Sequence, residues 1–262
     1  MTDETIYQYR PGNRLVPVDE PETVLLVADS WLVGNGQTRA LHLHRKRFLS
    51  SVLSLTTMQE PDIVPFWDTA MTHIPSTGLW FPRIELAGSI HHPVFQFRLR
   101  KAPSIHHTIR LHEGYLADFR KTPRHKGPDL ARCVAMRRDI LSSGAEEALI
   151  TTTQGFILEG LTTTILWWEN GTLCHVPPSC RILPGITCRL ILRIAARNGI
   201  PTACRMRKPH ELNHREVWAV NALHGIRQVI SWEHSPIQTE AHSDIGYWRE
   251  ALESFREPVT GT

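Results

Sequence analysis

Three groups of residues with complementary chemistry follow one another along a single stretch of the chain. Lys126 stands just ahead of an amphipathic segment, Glu159 closes the apolar run Phe156-Ile157-Leu158-Glu159, and the Pro184-Gly185 turn leads into a second amphipathic segment. Together they offer an amine for an aldehyde, a carboxylate for a ring, and backbone donors for a phosphate. The amine is a nucleophile only when neutral. An ordinary lysine pKa is about 10.4, so burial or a nearby cation has to lower it. Lys121 is a nearby rival, and the competing reading of either is a solvated loop lysine. At the end of an apolar strand an ionised Glu159 is costly unless it is paired. Gly185, Ile186 and Thr187 begin a helix, where unpaired N–H groups and the positive end of the dipole favour an anion, and the threonine adds a hydroxyl.

The elements that must position these groups are legible as patterns. Residues 1–20 read as a loose lead-in. A β-rich segment over 22–33, the turn Gly34-Asn35-Gly36 and a second strand over 38–44 predict a hairpin. Phe48, Leu49, Val52 and Leu53 recur at helical spacing within 45–58, while Pro61, Pro65 and Pro75 break up the middle of this half of the chain. Segments 79–86, 94–100 and 107–111 alternate as strands, which predicts an α/β domain with a mostly antiparallel sheet. The basic, proline-interrupted segment 118–126 marks a boundary. Pro128 then opens a helix running to about Ser143, with Leu130, Cys133, Val134, Arg137 and Leu141 facing inward and Gly144 as its stop. Strands over 149–153 and 156–159 precede a pair over 162–169 and 172–176 joined by Asn170-Gly171, a dipeptide suited to a type I′ turn. A helix over 186–198, a buried strand over 217–222 and a final helix capped by Ser243 complete the reading.

Composition narrows the class of function. The 262 residues carry 41% hydrophobic and 21% charged side chains and a formal charge of +3, too small a charge to argue for nucleic acid. No apolar run approaches the roughly 20 residues that span a bilayer, and the acidic, polar start is no signal peptide. Five cysteines without a CxxC pair favour reduced thiols, which points to a cytoplasmic protein. Fifteen histidines invite a metal-dependent hydrolase reading. The doublets His91-His92 and His106-His107 would point to opposite strand faces, however, and His42 with His44 lack further ligands, so no metal site is expected.

The order of motifs resembles the class IV pyridoxal-phosphate enzymes, a family that includes branched-chain and D-amino-acid aminotransferases and 4-amino-4-deoxychorismate lyase. Their lysine, "G-x-x-E-A-L", "G-x-x-x-E-G", "D/N-G-x-L" and "L-P-G-I-T" pieces correspond to Lys126, Gly144 to Leu149, Gly155 to Gly160, Asn170 to Leu173, and Leu183 to Thr187. The resemblance implies a two-domain α/β protein of the D-amino-acid-aminotransferase-like fold (fold type IV). Its expected divisions are an N-terminal domain over 1–117, a linker over 118–125 and a cofactor-binding domain over 126–262. It implies pyridoxal 5'-phosphate as the cofactor, carried on Lys126 as an aldimine, with Lys126 also moving the substrate's α-proton and Glu159 facing the pyridinium nitrogen. Phosphate contacts would come from Gly185, Ile186 and Thr187, from Arg47 in the segment His44–Arg47, and from backbone near Ala222 and Leu223. Ser30 falls where the lyases place a catalytic threonine. Arg83 and Arg227 are candidates for a substrate carboxylate. The activity implied is that of an aminotransferase acting on an amino acid or a similar amine. The alternatives are release of pyruvate from aminodeoxychorismate with formation of 4-aminobenzoate, and a degenerate protein that binds the cofactor without turnover. Family members are usually homodimers, so a homodimer is the expectation. The pattern departs from the family's in lacking "F-E-G" before the first hairpin, in Thr164 for an asparagine, and in Cys188 where an arginine follows "G-I-T".

Overall fold

A computed structural model of the chain describes residues 4–259. It divides into two compact units. The first comprises Met1–Ile105, His125–Pro128 and Glu253–Thr262; the second comprises His106–Arg124 and Asp129–Leu252. This departs from the linear scheme of 1–117, 118–125 and 126–262. Lys126 belongs with the first unit because the main chain returns there to a strand laid down a hundred residues earlier. Its carbonyl accepts a hydrogen bond from Ala28 N at 2.6 Å.

The first unit opens on β1 (Glu4–Arg10) and β2 (Arg14–Pro17), followed by β3 (Leu25–Ser30), β4 (Val33–Gly34) and β5 (Gln37–Arg39). Two helices come next, α1 (Leu41–Leu55) and α2 (Glu60–Thr72), and then β6 (Leu79–Trp80), β7 (Arg83–Gly88) and β8 (Pro93–Arg100). Five strands form an antiparallel sheet in the order β2-β1-β8-β7-β3. The expected loose lead-in is thus corrected, since β1 and β2 complete one side of this sheet. The expected strand over 38–44 is also corrected. Short alternation there is equally compatible with a helix, and Leu41, His44, Phe48, Leu49 and Val52 make one buried helical face. Ala40, at φ 49°, makes the sharp turn from β5 into α1. The prolines do not break up α2. Pro61 occupies its first turn, Asp62 Oδ2 accepts from Gln59 N at 2.8 Å, and Pro65 lies inside the helix. One sheet face, the two helices and their aromatic residues enclose a core of Val27, Trp31, Phe48, Phe66, Ile84 and Phe97.

The second unit contains β9 (Thr108–Ala117), α3 (Leu130–Leu141), β10 (Glu147–Thr151), β11 (Ile157–Gly160), β12 (Thr164–Glu169) and β13 (Thr172–His175). After these come α4 (Ile186–Arg197), β14 (Thr202–Cys204), a 3-10 turn at Pro209–Leu212, β15 (Val217–Asn221), β16 (Gly225–Glu233) and α5 (Ile245–Glu253). Eight strands form one sheet, ordered β11-β10-β9-β16-β15-β12-β13-β14. The Asn170-Gly171 turn has φ 49° and 75°, as a type I′ turn requires. In α3 only Cys133 is buried and Leu141 is half exposed, so the expected inward stripe is narrower than its spacing suggested. Asp244, not Ser243, caps α5, accepting from Tyr247 N at 3.1 Å; the Ser243 hydroxyl instead donates to Glu216 at 2.6 Å. A last strand, β17 (Arg256–Pro258), returns to the first unit and pairs with β5 in a four-stranded sheet, β17-β5-β4-β6.

Candidate active site

In the first unit, alternation along β3 sorts the site residues onto two faces. Directly opposed residues of an antiparallel pair share a face, and Ser30 opposes Arg83, which opposes Arg98, while Ala28 opposes Glu85, which opposes Gln96. This face is polar, yet Ser30, Glu85 and Gln96 are buried. Glu85 pairs with both Arg83 and Arg98. Arg83 Nε and Gln96 Oε1 are nevertheless buried without a hydrogen-bond partner among the described residues. Ser30's hydroxyl also makes no hydrogen bond there, although its N–H donates to Asp29 Oδ1 at 2.8 Å.

Asp29 faces the other way, onto the apolar core, and is fully buried. Its carboxylate accepts from Arg47 Nε at 2.8 Å, Arg47 Nη2 at 2.7 Å and His44 Nδ1 at 2.8 Å. Burial works against the ionised form, but Arg47 and His44 hold Asp29 well below the usual carboxylate range. Burial in turn lowers His44, with Asp29 opposing, so the imidazole is neutral and Nδ1 carries its hydrogen toward Asp29. Asp29 is not among the residues expected from sequence; its signal is a lone carboxylate inside the apolar run VLLVADSWLV.

Lys126 reaches this neighbourhood through β3. Its side-chain amine makes no hydrogen bond or ion pair among the described residues. Burial lowers its pKa from 10.5 to about 8; Arg47, Arg83 and Arg100 push the same way and Asp29 opposes. Arg100 itself is lowered to about 10, chiefly by burial, and its guanidinium lies 4.8 Å from the Phe81 ring centre. The approach to β3 requires Gly127. A Cβ there would stand 2.3 Å from Leu26 O and 3.0 Å from Val27 Cα, both backbone atoms. Gly127→Ala is therefore expected to displace Lys126 from β3, with a loss of about 1–3 kcal/mol typical of overpacking. Thermal denaturation checks the stability, and the rate of lysine-selective labelling at Lys126 should rise in the same variant.

In the second unit, Glu159 is the next-to-last residue of β11, before Gly160, whose own missing Cβ would overlap Thr163 Oγ1 at 2.3 Å. Glu159 is bonded to Arg120, and Leu183 N donates to it at 3.1 Å. Burial pushes its carboxyl up to about 7, with Arg120 and the Leu183 N–H pulling down. Arg120 is held in turn by Asp118 at 2.8 Å, which also accepts from Arg181 Nε at 2.8 Å. Asp118 and Arg120 fall in the expected linker 118–125, and their D-x-R spacing is the one sequence signal of the pair.

Two residues beyond Leu183 the chain reaches Gly185, the N-cap of α4, with Ile186 and Thr187 buried in its first turn. The apolar stripe of α4 matches the expected one, with Leu190, Ile191, Ile194 and Ala195 buried. A Cβ on Gly185 would meet Thr164 Oγ1 at 2.6 Å, so the helix start lies close against β12. Thr164 opposes Val220, and the turn after Asn221 carries Ala222 and Leu223. Asn221 Oδ1 accepts from His224 N at 2.9 Å within that turn. The second unit therefore brings Glu159, the start of α4 and the Ala222-Leu223 turn to one region. Arg227 opposes Ala219, part of the apolar cluster on that face, and its Nε and Nη2 are buried without a hydrogen-bond partner among the described residues. Among the described residues no three His, Cys, Asp or Glu gather to hold a metal ion, and no helix is long and apolar enough to cross a membrane.

The family model for class IV amino-transferases matches residues 26–232. The chain belongs to the class IV aminotransferase family. No curated protein matches this class IV chain. Among solved structures, a hypothetical aminotransferase from Mycobacterium tuberculosis in its PLP-bound form is similar at TM-score 0.74 and 16% identity, over 97% of this chain and 98% of that one. A putative branched-chain amino acid aminotransferase from Thermotoga maritima has TM-score 0.75 and 17% identity, covering 96% of this chain and 95% of that one. A putative 4-amino-4-deoxychorismate lyase from Legionella pneumophila has TM-score 0.71 and 18% identity, covering 87% of this chain and 90% of that one. The fold is that of the fold type IV aminotransferases.

Proposed function

We propose that this class IV chain is a pyridoxal-phosphate enzyme that moves the amino group of an amino acid or a similar amine. The observation that carries the reading is Lys126: an amine without a hydrogen-bond or ion-pair partner among the described residues, held down to about 8 by burial and by arginines. The cofactor fits the donors at hand. Lys126 would carry it, Arg47 and the Gly185-Ile186-Thr187 helix start would take its phosphate, and Glu159 would face its ring nitrogen. When bound, it supplies an electron sink for charge left at the substrate's α-carbon. The protein's own part is to hold the neutral Lys126 amine where it can take a proton from that carbon and return it.

Arg83, whose buried Nε lacks a partner among the described residues, suits a substrate carboxylate, because guanidinium binds carboxylate in a planar, two-point fashion. Arg227 stays a weaker candidate for the same role. A homodimer belongs to the same reading and is checked by sedimentation.

One observation favours a second reading. Ser30 is buried with no partner for its hydroxyl among the described residues, and it lies two residues along β3 from the Ala28 contact with Lys126. A hydroxyl there could relay a proton to a leaving enolpyruvyl group, as a lyase needs. Assays for a keto acid formed from amino donors and for pyruvate released from aminodeoxychorismate separate the two. Donor-dependent keto acid formation that survives Ser30→Ala supports transamination. Pyruvate release lost in Ser30→Ala supports the lyase. A purified protein that binds the cofactor and yields neither product would sink both.

A further inference from the structure

Asp29 is a fully buried carboxylate on the apolar face of the first unit's sheet, where Ile84 and Phe97 lie in register with it. Those neighbours on the sheet are apolar and do not themselves call for a charge. An apolar side chain of similar volume would fill the place without the desolvation cost. What the charge does is visible in its partners. Both of its oxygens are bonded to Arg47, through Nε and Nη2, and one also takes the His44 Nδ1 hydrogen and the Ser30 N–H. A two-point contact of this kind fixes the plane of a guanidinium, which a single contact does not. Arg47 is thus held by β3, the strand that also carries the Lys126 attachment, and not only by its own helix.

We infer that Asp29 is a positioning residue that orients Arg47 to receive the phosphate of the cofactor. The inference rests on the proposed cofactor but assigns a role to a residue that need not touch it. His44 shares Asp29 Oδ1 with Arg47 Nη2 and adds a second hold on the carboxylate's orientation.

The test compares pyridoxal phosphate with pyridoxal, which keeps the aldehyde and lacks the phosphate. Both are titrated by absorbance against the wild type, Asp29→Asn and Arg47→Lys, with thermal melting recorded for each. Asp29→Asn should weaken pyridoxal phosphate by about 10–100-fold, the worth of a charge-assisted contact, and leave pyridoxal unchanged. Arg47→Lys keeps the charge without the two-point geometry and should show the same selective loss. Combining the two should add little, because they remove one arrangement. Asp29→Asn binding both ligands like the wild type, or losing both equally, would overturn the role. If Asp29→Asn fails to fold, an Arg47→Lys protein with undiminished preference for the phosphorylated ligand would overturn it as well. A wild type that binds neither aldehyde would sink the cofactor reading itself, a different outcome from any of these.

Discussion

Replacing Lys126 with alanine should abolish the absorbance change on adding pyridoxal phosphate and reduce turnover to background. At a pKa of about 8, roughly one amine in ten is neutral at pH 7, against about one in a few thousand for an ordinary lysine. The wild type should therefore capture the aldehyde faster by about tenfold per pH unit up to about 8 and then level off, because deprotonation is complete above that value. An ordinary lysine would keep accelerating toward pH 10. Stopped-flow absorbance across pH 6–10 reads the difference. A rate that climbs through pH 9 unchanged would mean that the surrounding burial and arginines do not act on this amine.

Glu159→Gln should cost turnover about a hundredfold or more, in line with the loss of an electrostatic partner to the ring nitrogen. It should leave binding through the phosphate largely in place. The amide oxygen can still accept from Arg120 and the Leu183 N–H, so the fold should lose only about 1–3 kcal/mol. The charge is another matter. A ring nitrogen stays protonated only opposite a carboxylate, and Glu159 holds its proton up to about 7. Wild-type turnover should accordingly fall as pH drops through about 7, and that limb should vanish in the Gln variant. Stability carries the opposite sign. A folded-state pKa raised from 4.5 to about 7 means the folded protein binds the extra proton in that window. Wild-type stability therefore declines as pH rises through it, and the Gln variant should be flatter there. Denaturant titrations at pH 5 and pH 7.5 would expose the contrast; equal slopes for both proteins would contradict it.

Several of these groups were legible as sequence. Glu159 at the end of an apolar strand, the glycine before an amphipathic helix, and the Asn170-Gly171 turn are local statements about a few neighbouring residues, and the structure has each of these elements at that place. Local patterns misled where a short segment suited two structures. Leu41-His42-Leu43-His44 alternates like a strand and folds as the start of α1, because its burial partners at Phe48, Leu49 and Val52 lie along a helix. Pro65 reads as a break yet stands inside α2, where packing of Phe66 and Trp67 against the core outweighs one missing backbone bond.

By itself the chain determined which chemistries were on offer: one amine before a helix, one carboxylate on an apolar strand, one helix start suited to an anion. Which unit each group joins was decided by tertiary structure. Lys126 follows β3 because Ala28 has an unpaired edge N–H to give and Gly127 alone leaves room for the contact. Arg47 owes its setting to Asp29, eighteen residues away on a strand. Glu159 finds Arg120 only because β9 is paired in parallel with β10, which lies beside β11. Such contacts join distant residues, and their free energy comes from burial and pairing that no window of neighbouring residues contains.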